Sequence, residues 1–532
     1  MSIEGLCLTP ERLAREKARG VWPGCVATDY LDRWAAEKPE ATALVAWRME
    51  SEVETRLTWR QLARRAAAAA DALERAGVRS GDVVSFQLPS WWEFVAVYLA
   101  TVRLGAVANP LMPIFRRREL AFMLRLAGAR AFVVPGHFRG FDHGELAREL
   151  AAELPGMRLV GLDSWKEVPF ERGARLRPDD VTQLLYTSGT TGEPKGVLHT
   201  SNTLLGAVRE FAKHLAIGQD DVIFMPSPLA HQLGFCYGML LSLLLGVPLV
   251  LTDIWRAARA AELIAAHGAT LTFAATPFLA DLVELNAKLP TLRLFSSSGA
   301  PIPPAVVQAA RERLGLAVAA CWGMTECASV TITDTDGAGA AQSDGRALPN
   351  GEVRVVGPGG AEAPRGEVGA LQVRGASLFV GYLKRPALYR LDAQGWFDTG
   401  DLARMDEQGC IRICGRDKDV IIRGGENIPV VEIEAALYRM AQVADAAVVA
   451  MPDARLQERA CAFVTLRAGA SLDLAALCRH LAAEGFSKHF WPERLELLAE
   501  MPRTPTGKIQ KFVLRQLAKD LQPQAAAPAR AA

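Results

Sequence analysis

Through about residue 330 the chain alternates short apolar runs with longer amphipathic stretches. The segment Leu57-Thr58-Trp59-Arg60-Gln61 predicts a helix start, with Thr58 as N-cap and Gln61 closing a capping box. That helix should run through the Ala-rich stretch to Gly77, a C′ residue. An apolar strand is expected at 83–88 and a further helix at 91–104. The rhythm recurs with strands at 131–134, 222–225, 249–251, 271–274 and 292–296. Short buried strands separated by amphipathic helices predict parallel βαβ units, hence an α/β fold. Residues 233–251 carry no charge and could pass for a membrane span, but Gly246 and Pro248 break the run. A buried helix followed by a buried strand at 247–252 fits those breakers.

After about residue 340 the texture changes. Gly and Pro become dense, helices vanish, and short runs such as 352–356 and 370–373 predict a compact β subdomain. From about Val420 a helix at 431–440 and strands at 446–450 and 460–466 predict a small α/β unit. The Ala/Pro-rich tail, 522–532, is expected to be disordered.

Composition narrows the class without naming a chemistry. The 532 residues are 50% hydrophobic and 22% charged, with 60 Lys and Arg against 59 Asp and Glu. Disorder, a collagen-like fold and a disulfide scaffold are excluded. Near-zero net charge speaks against a nucleic-acid binder working through bulk electrostatics. The nine cysteines are Cys7, Cys25, Cys236, Cys321, Cys327, Cys410, Cys414, Cys461 and Cys478. They form no CxxC, and neither His nor Cys completes a zinc set around Cys410 and Cys414. Reduced thiols follow. With no apolar core in residues 1–19, a secretory signal is not expected and a cytoplasmic location is.

The strongest chemical signal is Tyr186-Thr187-Ser188-Gly189-Thr190-Thr191-Gly192-Glu193-Pro194-Lys195-Gly196, which follows an apolar strand-like run. Small hydroxyl residues interleaved with glycines let a loop wrap its N–H and O–H groups around phosphate oxygens, and Lys195 adds a charge. It is not a Walker A loop, since Lys195 is followed by Gly196 and the glycine spacing differs. Downstream stand Ser298-Gly299-Ala300-Pro301, Cys321-Trp322-Gly323-Met324-Thr325-Glu326, Gly395-Trp396-Phe397-Asp398-Thr399-Gly400-Asp401, Gly415-Arg416-Asp417-Lys418-Asp419 and Pro505-Thr506-Gly507-Lys508-Ile509.

The hydroxyl- and glycine-rich run resembles the phosphate-binding signature of the adenylate-forming superfamily, and the later motifs follow in that family's order. The resemblance covers essentially the whole chain. It implies a large N-terminal AMP-binding domain, 1–417, containing parallel α/β subdomains and a β subdomain, and a small mobile C-terminal α/β domain, 418–532. It implies ATP, Mg²⁺ and coenzyme A as partners, and a two-step acid–thiol ligase. By the same resemblance, Thr187, Ser188, Gly189, Thr190, Thr191, Gly192 and Lys195 cradle phosphate. Ser298, Gly299, Ala300 and Pro301 border the adenine, Trp322, Gly323 and Met324 flank it, Thr325 meets the α-phosphate and Glu326 helps hold the metal. Asp401 and Arg416 meet the ribose. Lys418 is the hinge, where many relatives have Asp, and Gly424, Gly425 and Glu426 border the CoA channel. Lys508 reaches both the substrate carboxylate and the α-phosphate, which is transition-state charge stabilisation.

His231, in Pro228-Leu229-Ala230-His231-Gln232, matches a position at the carboxylate end of the acyl pocket. Acetate-specific relatives carry Trp where this chain has Gly323, so a deeper pocket is expected. Phe235, Phe278, Met324 and Cys327 are apolar candidates for its lining. A monocarboxylic acid larger than propionate follows, with a texture closest to cyclohexanecarboxylate–CoA ligases; medium-chain and aryl acids stay open. The competing readings are a free-standing enzyme that loads a carrier protein, a luciferase-like oxidase and a non-catalytic nucleotide sensor. A homodimer and regulatory acetylation of Lys508 are family-level expectations.

Overall fold

The computed structural model describes residues 3–166, 176–187, 194–299, 302–335, 339–416, 419–423, 426–453, 455–504 and 507–524. Four sheets of four or more strands carry the chain. The largest has nine strands, six of which run parallel side by side: Ala317–Met324, Leu294–Ser298, Leu271–Ala274, Ile223–Met225, Leu249–Thr252 and Thr42–Arg48. Antiparallel strands close both of its edges. A second sheet of six strands has parallel Val83–Phe86 and Val107–Pro110 at its centre and ends in the antiparallel pair Val181–Thr187 and Lys195–Thr200. The central strands of both sheets are buried throughout, because helices cover both faces.

The local expectations hold where a specific residue sets them. Thr58 Oγ1 accepts from Gln61 N while Gln61 Oε1 accepts from Thr58 N, capping the helix Trp59–Arg75. Gly77 follows its end at φ 88. The uncharged stretch breaks at Gly246, φ 69, before the buried strand Leu249–Thr252. Its helix differs from the expectation in one respect: Gly234–Leu240 is a π-helix, and Leu241–Leu245 is the α-helical remainder. Two glycines pack closely there. A Cβ on Gly234 would stand 2.4 Å from Pro228 O, and one on Gly238 2.7 Å from Met225 Cγ. Among the described residues no helix is long and apolar enough to cross a membrane.

The third sheet is antiparallel, Glu352–Val356, Gly369–Arg374, Phe397–Met405 and Ile411–Arg416; along Phe397–Met405 every second side chain is buried, Thr399 and Asp401 among apolar ones. One short helix, Gly339–Gln342, precedes it where none was expected. The N-terminal helix Pro10–Ala18 is fastened to this region by Arg12. Its buried guanidinium donates to Phe379 O at 2.8 Å, Tyr389 Oη at 2.7 Å, Gly375 O at 3.4 Å and Leu378 O.

The fourth sheet pairs Val443–Asp453 with Gln457–Leu466 as its long central hairpin, both longer than the sequence suggested. The helix Val430–Leu437 packs on it. The tail is ordered further than expected. Gln524 donates from its N to Glu493 O, and its side chain exchanges hydrogen bonds with Leu495 N and O, so residues 522–524 dock on the strand Arg494–Leu497. Residues 525–532 lie outside the described residues. All nine cysteines are free.

Candidate active site

Four neighbouring parallel strands end side by side. Ile223–Met225 leads to Pro228–His231, Leu271–Ala274 to Pro277 and Phe278, Leu294–Ser298 to Gly299, and Ala317–Met324 to Thr325 and Glu326. At about 4.8 Å per strand spacing, these ends span roughly 14 Å. Carboxyl ends of parallel strands are where open α/β sheets bind ligands. Gly299 turns the chain away at φ 83. Ser298 lies in register with Cys321, so two sequence motifs 23 positions apart become neighbours.

The phosphate-loop candidates begin and end on one hairpin. Thr187 pairs with Lys195, so the strand ends close the loop between them. Ser188, Gly189, Thr190, Thr191 and Gly192 lie outside the described residues, as do Ala300, Pro301, Lys418, Gly424 and Gly425, and with them the Glu426 side chain. The Lys195 ammonium stands 5.2 Å from the centre of the Tyr382 ring. The Tyr382 hydroxyl in turn donates to Glu326 Oε1 at 2.8 Å.

Glu326 is buried, which raises its carboxyl pKa. The Tyr382 hydroxyl, Lys195 and Arg416 oppose that rise. A buried carboxylate beside a phosphate-loop lysine suits a hard divalent cation that would share its oxygens with a phosphate. Among the described residues no three His, Cys, Asp or Glu side chains gather to hold such an ion alone. Its remaining ligands would therefore come from the nucleotide and water. The carbonyls of this turn are both taken: Thr325 O lies 2.7 Å from His199 Nε2, and Glu326 O accepts from Phe379 N at 2.6 Å.

Asp401 and Arg416 face each other across two strands of the third sheet. Arg416 Nε donates to Asp401 Oδ1 at 2.8 Å, and Trp322 Nε1 donates to Oδ2 at 3.0 Å. Three residues read as nucleotide contacts thus form one connected cluster. Trp322 is also part of a buried apolar cluster with Val197, Cys327 and Val330, so its ring has a packing role as well.

The C-terminal part of the chain reaches into this place. A turn at 503–509 is closed by Thr504 N donating to Lys508 O at 2.7 Å and Gly507 N to Thr504 O at 2.8 Å. Gly507, at φ 83, rests on the start of the helix Thr276–Leu285 that follows the strand Leu271–Ala274: a Cβ there would stand 3.4 Å from Pro277 Cγ. Pro505 and Thr506 lie outside the described residues. Lys508 is exposed to solvent, yet protein lies close enough around its ammonium to disfavour the charge. That enclosure, and then Arg416, lower its ammonium to about 8, against the opposite pull of Asp401 and Asp419. The same lysine bears on His231. Burial first, and Lys508 second, hold the imidazole at about 4, so it is neutral at physiological pH. Its Nδ1 accepts from Leu233 N at 3.3 Å.

The acyl-pocket candidates are less united. Phe235 stacks edge-on against Tyr98 at 4.8 Å in the main core. Cys327, with Met324 packed against it, belongs to the cluster under the third sheet. Phe278 belongs to another cluster and stacks on Trp255. Gly323 has a different reason for being glycine than pocket depth. A Cβ there would stand 2.0 Å from Ala328 O on the antiparallel neighbour. A larger residue would have to move two strands, so glycine at 323 is required by strand packing and does not report pocket depth.

Sequence reasoning missed Tyr382 and His199. Each is buried, and each touches the Thr325–Glu326 turn. A lone Tyr or His in an apolar run reads as core, and only the close approach of Gly381 to Gly5 O hints that the Tyr382 segment is specially placed.

Comparison with known proteins agrees with this geometry. The model of the AMP-binding enzyme family matches residues 31–383, and that of the AMP-binding enzyme C-terminal domain matches 432–508. The chain is 35% identical to an Escherichia coli medium-chain fatty-acid–CoA ligase, over 96% of this chain and 94% of the relative. It is 33% identical to a Streptomyces salicylyl-CoA synthase/salicylate adenylyltransferase, over 98% of each. The ATP-bound MatB of Rhodopseudomonas palustris superposes with a TM-score of 0.84 at 28% identity, covering 93% of this chain and 99% of that one. A shared fold, matching family models over both parts of the chain and relatives at 33–35% identity over almost its whole length have one explanation: the chain belongs to the AMP-binding, adenylate-forming enzyme family.

Proposed function

We propose that this enzyme is an ATP-dependent acyl-CoA ligase acting on a monocarboxylic acid with an apolar body, medium-chain or alicyclic such as cyclohexanecarboxylate. The observation that carries the reading is the meeting of Lys508 with His231, Asp401 and Arg416 at the ends of the parallel strands. In the first step a carboxylate oxygen attacks the α-phosphorus of ATP, forming the acyl–phosphate bond as pyrophosphate leaves. Lys508 neutralises charge between the two anions. Neutral His231 adds no like charge beside it and presents Nε2–H to the acid. Asp401 and Arg416 orient the ribose, and Glu326 would hold a divalent cation, which when bound would supply positive charge for the phosphates.

In the second step a CoA thiol attacks the acyl carbonyl and AMP leaves. Rotation of residues 418–532 about Lys418 would exchange the Lys508 turn for a thiol channel bordered by Gly424, Gly425 and Glu426. The medium-chain and salicylyl relatives support a CoA ligase and bracket the acid between aliphatic and aryl.

The test is pyrophosphate release with a panel of acids (acetate, octanoate, cyclohexanecarboxylate, benzoate, salicylate), with and without Mg²⁺ and CoA. Acyl-CoA formation from octanoate or cyclohexanecarboxylate is expected. Preference for the aryl acids would refute the substrate class, and adenylate that never reaches CoA would favour a carrier as acceptor.

A further inference from the structure

The turn that carries Thr325 and Glu326 is not held by its own strand ladder alone. Its first carbonyl, Thr325 O, faces His199 Nε2 at 2.7 Å across 126 positions of sequence. His199 is wholly buried on the strand Lys195–Thr200. Its other ring nitrogen, Nδ1, lies 3.0 Å from Thr203 Oγ1 in the first turn of the helix Ser201–His214. A carbonyl can only accept, so Nε2 carries the proton and donates.

Because a peptide is planar and trans, pinning Thr325 O toward the imidazole points the Glu326 N–H the opposite way. It also restrains the backbone torsion ψ of Thr325, and with it the direction in which the Cα–Cβ bond leaves the turn. The next carbonyl, Glu326 O, is pinned by Phe379 N, whose own segment is clamped by Arg12. The strand that bears His199 begins at Lys195, so one rigid rod connects the exit of the phosphate loop with the Thr325–Glu326 turn. An apolar residue at this site between Leu198 and Thr200 would leave Thr325 O without its imidazole donor, whereas the buried imidazole satisfies that carbonyl and is itself satisfied by Thr203 Oγ1.

We propose that His199 is a positioning residue for adenylation: its Nε2–H holds Thr325 O and thereby sets the Thr325 and Glu326 side chains against the α-phosphate. The inference rests on the reading of that turn under the proposed function. Three variants of the full chain test it: His199→Phe fills the space without a donor, His199→Gln can restore a donor near Nε2, and Thr203→Val frees the Nδ1 side together with the cap bond from Thr200 N, whose cost thermal melting reads separately. Acid-dependent pyrophosphate exchange gives kcat and KM, calorimetry gives ATP affinity in Mg²⁺ without any acid, and thermal melting reports folding.

His199→Phe should lower the exchange kcat about tenfold or more, since it orphans a carbonyl, and leave the acid KM within about twofold. It should also weaken ATP binding severalfold. His199→Gln should recover kcat and ATP affinity to within about threefold of the unmodified chain. Equal losses in the Phe and Gln variants, or a raised acid KM at unchanged kcat, would overturn the proposal. If His199→Phe does not fold, Thr203→Val decides: about a threefold fall in kcat supports the proposal and no change refutes it. Absence of exchange by the unmodified chain with every acid would count against the proposed function, and the Gln-versus-Phe contrast in ATP affinity would still decide the role of His199.

Discussion

Lys508 offers a prediction whose size follows from its surroundings. Enclosure and the neighbouring Arg416 hold its ammonium at about 8 in the protein without substrates. A group titrating there is about 90% protonated at pH 7 and about 10% at pH 9. Only the protonated form can neutralise charge between carboxylate and phosphate, so kcat/KM for adenylation should fall about ninefold over that interval. Bound ATP and acid are anions and favour the charged lysine, so kcat should show the same limb displaced to higher pH. His231 cannot produce this limb, because it is already neutral above about 4. The assay is pyrophosphate exchange across pH 6.5–9.5 at low and saturating ATP. Lys508→Ala should cost about 10²–10³-fold, by analogy with loss of one charge-stabilising donor, and should abolish the limb. Thioester formation from supplied acyl-adenylate should survive that substitution. Persistence of the limb in Lys508→Ala, or equal loss of both half-reactions, would refute the assignment.

Three further outcomes are expected. Tyr382→Phe removes the hydroxyl that lowers the Glu326 carboxyl; the acid limb of adenylation should therefore move to higher pH, and an unmoved limb in a pH–rate series would count against it. Gly234→Ala presses a methyl against Pro228 O and Ser227 O, backbone that cannot yield; a loss of roughly 1–3 kcal/mol in urea unfolding and a raised acid KM are expected as His231 is displaced. Thr58→Ala removes an N-cap far from the site; about 1 kcal/mol should be lost with adenylation unchanged.

The sequence made some of this molecule legible because single residues decide it. Thr58 and Gln61 cap a helix wherever they meet its first turn, and short apolar strands between amphipathic helices have few ways to pack. The nucleotide motifs were legible because phosphate, ribose and carboxylate each demand a particular donor or acceptor. What stayed hidden depends on pairing across distance. Nothing local tells that Gly323 faces Ala328 O and not a pocket, or that His199 finds a carbonyl 126 positions away. The π-helical turn after His231 was invisible for another reason: its residues are apolar on every side, so they carry no periodicity to read. Residues 522–524 are held by the backbone groups of Glu493 and Leu495 and by the Arg494 guanidinium donating to Gln522 O, pairings that composition does not register.

The clamp made by Arg12 has a consequence for how the chain comes to be folded. Its carbonyl partners at Leu378 and Phe379 are 366 and 367 positions downstream. At translation rates of about 5–20 residues per second, they emerge roughly 20–70 seconds after Arg12 itself. Through that interval the first helix carries a guanidinium with no native place to go, and its apolar face has no partner from the β subdomain. The N-terminus, made first, is thus among the last parts of the large body to dock, and its arrival fastens the segment that steadies Glu326.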